Sequence, residues 1–165
     1  MAWRRLVFVE TELRAARQAQ RQEMRAAATP AAQRAARLQQ LRGIKAGSAM
    51  VLAKEVFGRD LRNRREVGAL SGFVSVPYQS GEAARDQGIS RAGLRHIRGR
   101  MVELAWVWLK WQPASALAQW YAQRFARGGG RLRRIGIVAL ARKLLIALWR
   151  FSEQGVVPTG AVLRA

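Results

Sequence analysis

Apolar residues recur along most of this chain at helical intervals. The clearest stripe is Ile97, Met101, Leu104 and Trp108, spaced four, three and four apart, which predicts the buried face of a long helix. Ser90 stands where that helix needs an N-cap, and the predicted span runs on to about Lys110. At the start of the chain, residues 3–27 are rich in Ala, Arg and Gln, all good helix formers, with Leu6, Val9 and Leu13 as the few apolar anchors. A helix this polar is marginal alone and calls for a partner, either another helix of the chain or a second subunit. Thr29 and Pro30 restart the pattern as N-cap and first helical residue, giving a second helix to about Leu41 and an antiparallel helical hairpin. A third helix is predicted over 48–57, and Asn63 with Glu66, at capping-box spacing, opens a short one over 64–71. Pro113 and Ser115 start a helix to about residue 127 that carries Leu117, Trp120, Tyr121 and Phe125. After Gly128, Gly129 and Gly130, the last helix, 132–151, is the most apolar and belongs at the centre of the core. The fold expected is all-α. It comprises a coiled-coil-like helical linker over 1–41, a compact multi-helix domain over 42–153, and an extended tail over 154–165.

One long stretch, 72–90, follows neither a helical nor a linker pattern. Pro77 removes a backbone donor and biases Val76 towards extended geometry, and a strand is suggested only over 73–76. Gly81 and Gly88 reach conformations that other residues adopt only at a cost. Ser80 stands between Pro77 and Gly81. A Ser-Gly pair in a loop is most often a turn, yet loops held by a rigid scaffold are also where chemistry sits, so Ser80 has two readings.

Composition removes several chemistries. The chain has 165 residues and no cysteine, which excludes disulfides and thiolate zinc sites. It has one histidine, His96, so Ser-His triads and histidine metal sites lack material; flanked by Arg95, with Arg98 close by, His96 reads as a surface residue near a polyanion. No secretory signal is visible, and the most apolar segment, 135–149, is interrupted by Arg142 and Lys143 and falls short of the ~20 residues a bilayer span needs. A core helix is expected there, not a membrane anchor.

The formal charge is +20, and 26 of the 30 basic residues are arginine. The excess is spread along the chain: nine basic against three acidic residues over 1–42, twelve against six over 43–110, and nine against one over 111–165. Such a balance favours a polyanionic partner, and arginine makes forked contacts to phosphate, although a GC-rich coding bias also enriches arginine. Arg64 and Arg65, in a corner with Arg59 and Arg62, are candidate backbone contacts, with a solvated face as the plainer reading. Arg91, Arg95 and Arg98 form a basic stripe on the first turns of the predicted helix after Ser90. Cations are unfavourable at a helix N-terminus, so an external anion would explain them. Gly43 and Gly47, four apart around Lys45, resemble the turn of a helix-hairpin-helix element, which offers backbone amides to phosphate; Lys45 stands where that pattern has glycine.

These residues also carry a resemblance. Gly-Ile-x-x-x-Ser-Ala at 43–49 is followed by Phe-Gly-Arg-Asp-Leu-Arg-Asn-Arg-Arg-Glu-Val-Gly-Ala-Leu-Ser-Gly-Phe at 57–73. Pro-Tyr-Gln-Ser-Gly-Glu then stands at 77–82, Gln-Gly-Ile-Ser-Arg-Ala-Gly at 87–93 and Ile-Val-Ala-Leu-Ala-Arg-Lys-Leu-Leu at 137–145. From about residue 38 onward the series resembles the C-terminal half of insertion-sequence transposases of the IS-one-ten family, the Piv/MooV-like DEDD recombinases. The resemblance implies DNA transposition in which a serine attacks the DNA backbone and forms a phosphoserine link. By motif position that serine is Ser80, with Ser75 and Ser90 as fallbacks. Arg85, Arg91, Arg95 and Arg98 would supply charge stabilisation. It further implies a non-coding guide RNA, a homo-oligomer, and a bacterial, nucleoid-associated, cytoplasmic location. Divalent metal (Mg2+) is expected only with the family's RuvC-like half. The chain is expected to start in the linker and to lack that half, to hold no metal itself and to be inactive alone. Two other readings stand beside this one: a non-catalytic basic helical module that binds nucleic acid, and a cationic membrane-surface protein that uses the last helix.

Overall fold

The computed structural model describes residues 2–73, 75–78, 85–89 and 93–164, with side chains for 2–73 and 93–164. The fold is all-α, joined by one short hairpin. Helices α1 (Ala2–Ala26), α2 (Pro30–Gln39), α3 (Ala46–Val51) and α4 (Arg64–Leu70) precede strands β1 (Ser75–Tyr78) and β2 (Arg85–Ile89). Helices α5 (Arg95–Trp111), α6 (Ala116–Phe125) and α7 (Gly130–Gln154) follow. None of the described helices is long and apolar enough to cross a membrane.

The apolar pattern explains the architecture. Helix α7 is the centre: α2, α4, α5 and α6 all pack on it, and its pairing with α5 is the most extensive between helices. Ile137, Leu140, Ala141, Leu144, Leu145, Leu148 and Phe151 form its buried stripe. Facing it is the predicted stripe of α5, with Ile97, Met101, Leu104 and Trp108 all buried. Each such aliphatic side chain contributes about 1.5–3 kcal/mol by leaving water. α6 closes on α7 at Gly136, where an added Cβ would collide with the ring of Phe125.

Local signals set the helix starts. Thr29 Oγ1 accepts from Ala32 N, with Pro30 in the first turn. Asn63 accepts from Arg65 N and Glu66 N, and Glu66 reaches back to Arg62 N and Asn63 Nδ2. Ser115 Oγ accepts from Ala118 N. Along α1 every residue from Ala2 to Ala19 is exposed and burial is complete only at Met24, whereas α2 buries Ala32, Ala35 and Leu38 in the common core.

Three expectations change. The helix after the central loop does not start behind Ser90; its N-cap is Leu94, and Ser90 itself lies outside the described residues. Gly93 has φ +101°, which no helix accommodates, and an added Cβ would lie 2.5 Å from Leu70 O. Leu94 N donates to the same carbonyl at 3.0 Å, so the chain is tied to the end of α4 before α5 begins. The strand expected over 73–76 is β1 at 75–78, and it pairs antiparallel with β2, which the sequence pattern does not reveal. The register slips between Ser75 and Pro77, where Pro77 has no N–H for a regular ladder. The third helix starts at Ala46 and passes into a π-helical turn, Leu52–Val56, closed by Phe57 N to Leu52 O at 2.8 Å. The wider turn shifts the helical phase, so that Ala49, Met50, Leu52, Ala53, Val56 and Phe57 all face inward.

The extended C-terminal segment is docked. Leu163 bridges Leu41, Arg42 N donates to Val162 O, and Arg164 N donates to Gln40 O. Gln112, 1% exposed, holds the corner: its Nε2 donates to Arg42 O and Val162 O, and its Oε1 accepts from Val162 N. Gln112→Leu takes the side-chain acceptor away from Val162 N and the donor away from Arg42 O and Val162 O, which removes the tie between the segment and the α2–α3 turn. We expect a loss of about 3 kcal/mol, read by urea denaturation, with new protease cleavage within 156–164. An unchanged midpoint and unchanged cleavage would mean that the segment is held by its backbone bonds alone.

Candidate nucleic-acid interface

The capping box fixes the first turn of α4 and so places Arg64 and Arg65. Both line a cleft of 510 Å³ whose other wall is α7, with Arg142 and Lys143, and which Phe73 also lines. Arg64 also lines an adjoining 340 Å³ cleft with Lys143 and Arg150. Five cations from two helices therefore converge, and none of them forms an ion pair among the described residues. Arg142 and Lys143 look like interruptions of an apolar run, and their role is missed on that ground. The available signal was the spacing Ile135, Val138, Arg142, Ile146 and Arg150, which repeats every three or four residues along one helix face.

Other predicted residues fall elsewhere. Arg95 and Arg98 are on the first turns of α5. His96, beside them, meets Glu55 of the π-helical turn, so its nearest anion belongs to the chain itself. Lys45 is the extended residue before α3 and makes no side-chain cap. It lines a separate cleft with Arg17, Arg21 and Lys54 beside α1, where Lys54 pairs with Glu23 at 3.0 Å. Arg85 stands in β2 opposite Tyr78. Ser80 and Arg91 lie outside the described residues; of the predicted basic stripe, α5 carries Arg95 and Arg98.

Mg2+ needs a convergent set of oxygen ligands. Among the described residues no group of three or more His, Asp or Glu side chains is placed to hold a metal ion, so they do not fit one.

Comparison with known proteins meets this geometry. No solved structure matches the chain. Over 125 residues, 75% of its length, the chain is 46% identical to a protein of Sinorhizobium fredii (strain NBRC 101917 / NGR234) named "Putative transposase y4rJ". It spans 32% of that relative's length. The family model described as "Transposase IS116/IS110/IS902 family" matches residues 35–121, a segment that runs from α2 into α6 and contains Arg64, Arg65, the hairpin and the start of α5. That is more than half of the 165 residues, and on this ground the chain belongs to the IS116/IS110/IS902 family of transposases.

Proposed function

We propose that this chain is the helical, serine-bearing part of a DNA transposase, and that Ser80 is its nucleophile. The observation that carries the reading is the family match over 35–121, which contains Ser80 and the basic residues on both sides of it. In the proposed step Ser80 Oγ attacks a backbone phosphorus. A Ser–O–P bond forms, one ester bond of the DNA strand breaks, the serine proton passes to a base, and the departing sugar oxygen takes up a proton. A serine hydroxyl is a weak nucleophile, so positioning and charge stabilisation carry the rate. Arg85, Arg91, Arg95 and Arg98 are proposed to supply that charge.

The remaining parts of the proposal concern partners. A guide RNA selects the DNA, a RuvC-like half supplies Mg2+, and the work is done on the bacterial nucleoid. The turn at Lys45 serves as a helix-hairpin-helix contact to the DNA backbone. The chain works as a homo-oligomer, since α1 leaves Trp3, Phe8 and Val9 at 73%, 66% and 58% exposure, with no described helix of this chain to cover them. Covalent trapping tests the central claim. Labelled DNA with element ends is incubated with the chain, Mg2+ and guide RNA, with and without an intact relative, and run on a denaturing gel. An adduct that depends on Ser80 supports the reading. Salt-sensitive binding with no adduct, even beside the intact relative, replaces it with a non-catalytic nucleic-acid-binding module.

A further inference from the structure

Helix α7 carries two faces. One is the core stripe. The other presents Ile135, Val138, Arg142, Ile146 and Arg150, with Lys143 beside them, to the two clefts between α7, α4 and α6. These clefts share Arg64, Lys143 and Ile146, so they form one trough. From residue 135 to residue 150 it follows α7 for about 22 Å.

Its lining combines two kinds of surface. The rims are cationic and no carboxylate lines either cleft, while the floor is apolar. Trp120 of α6 adds a constraint: Lys143 Nζ lies 4.8 Å and Arg124 Cζ 5.5 Å from the centre of its ring. Of the two, Lys143 lines the trough, and attraction to the ring face favours its position before any ligand arrives, which lowers the ordering cost of binding. A nucleic-acid duplex offers a groove of this kind only phosphates and sugars, because its base faces are stacked inside. An unpaired strand offers phosphates to the rims and base faces to the floor. The geometry points to an unpaired nucleic-acid strand, DNA or RNA, as the ligand of this trough, with Arg64, Arg65, Arg142, Lys143 and Arg150 on its phosphates. The assignment rests on the reading that the chain binds nucleic acid but not on the chemistry of Ser80. Phe73, which lines the trough, stands two residues before β1, so a strand held there lies beside the root of the hairpin.

The test measures binding of labelled oligothymidine, oligouridine and a duplex of equal length to the full chain at several salt concentrations. Lys143→Gln with Arg150→Gln is compared with Arg4→Gln with Arg5→Gln, which removes the same charge from the exposed start of α1. Arg64→Gln with Arg65→Gln tests the opposite rim independently. Glutamine keeps helix propensity, and circular dichroism confirms that each variant is folded. For single strands the slope of log K against log salt should fall by about 1.4 in either trough pair, at about 0.7 for each phosphate that the variant leaves without its cation. It should hold in the α1 pair, and the duplex should respond less than the single strands. A reduced slope for either single strand supports the trough, and the larger reduction names the sugar. An unchanged slope in both trough pairs, an equal fall in the α1 pair, or an equal fall for duplex would overturn it. A wild-type chain that binds none of the probes would overturn the nucleic-acid reading itself.

Discussion

Ser80→Ala is expected to abolish the covalent protein–DNA adduct while DNA affinity stays within about twofold of wild type. The two halves of that expectation have different origins. An adduct requires an oxygen that forms the new bond to phosphorus, and alanine has none; deleting a nucleophile elsewhere lowers turnover on the order of 10⁶-fold, which puts the product below detection on a gel. Binding, by contrast, is dominated by phosphate neutralisation, and the chain keeps all 30 of its basic residues in this variant. The measurement is adduct yield on a denaturing gel beside a salt titration of binding. Ser75→Ala and Ser90→Ala should retain the adduct. If one of them loses it and Ser80→Ala does not, the nucleophile moves to that position. If all three retain it, no serine of the hairpin region is the nucleophile.

What the chain discloses in sequence and what it withholds divide along a physical line. Signals that act within one or two turns are legible. Thr29 and Asn63 cap the helices they are expected to cap, Ser115 stands at the helix start expected of it, and the four-residue stripe of α5 is buried as its period requires. Features that depend on contacts distant in sequence are not. Ser90 fits the local rule for an N-cap, but the close approach of Gly93 to Leu70 O delays the helix, and nothing near Ser90 encodes that approach. The pairing of β2 with β1 depends on register across a loop, which a Pro- and Gly-rich stretch does not advertise. The π-helical turn becomes visible only when Leu52, Ala53, Val56 and Phe57 are all found buried. The candidate interface shows the same division. Arg64 and Arg65 are legible because their helix start is local. Arg142, Lys143 and Arg150 acquire meaning only when α4 packs on α7 and brings the two rims together. Ser80 is singled out first by its loop and then by motif resemblance, signals independent of packing.

Trp108→Ala is expected to be the most destabilising of the single substitutions considered, at about 4 kcal/mol. The indole is 1% exposed and lies in α5, the helix most extensively paired with α7. Its Nε1 donates to Ser115 Oγ at 2.8 Å. That hydroxyl also donates to Gln112 O and accepts from Ala118 N, so removing the indole leaves Ser115 with partners. The cost is therefore the cavity and the lost transfer energy, with little from an orphaned polar group. Trp108→Phe keeps most of the volume and loses the hydrogen bond, and should cost only about 1–2 kcal/mol. Ser115→Ala reverses the balance: packing is almost unchanged, but a buried indole N–H is orphaned and the α6 cap is lost, at about 2 kcal/mol. Urea midpoints followed by far-ultraviolet circular dichroism rank the three variants. A Trp108→Ala loss below that of Trp108→Phe would show that α5 is not seated on α7 as described. Domains of this size hold only about 5–15 kcal/mol in total, so Trp108→Ala removes a large share of the scaffold that positions the rims of the trough. It should then lose single-strand binding and adduct together on mild warming, where Ser80→Ala loses the adduct alone, and that contrast separates a failure of the fold from a failure of the chemistry.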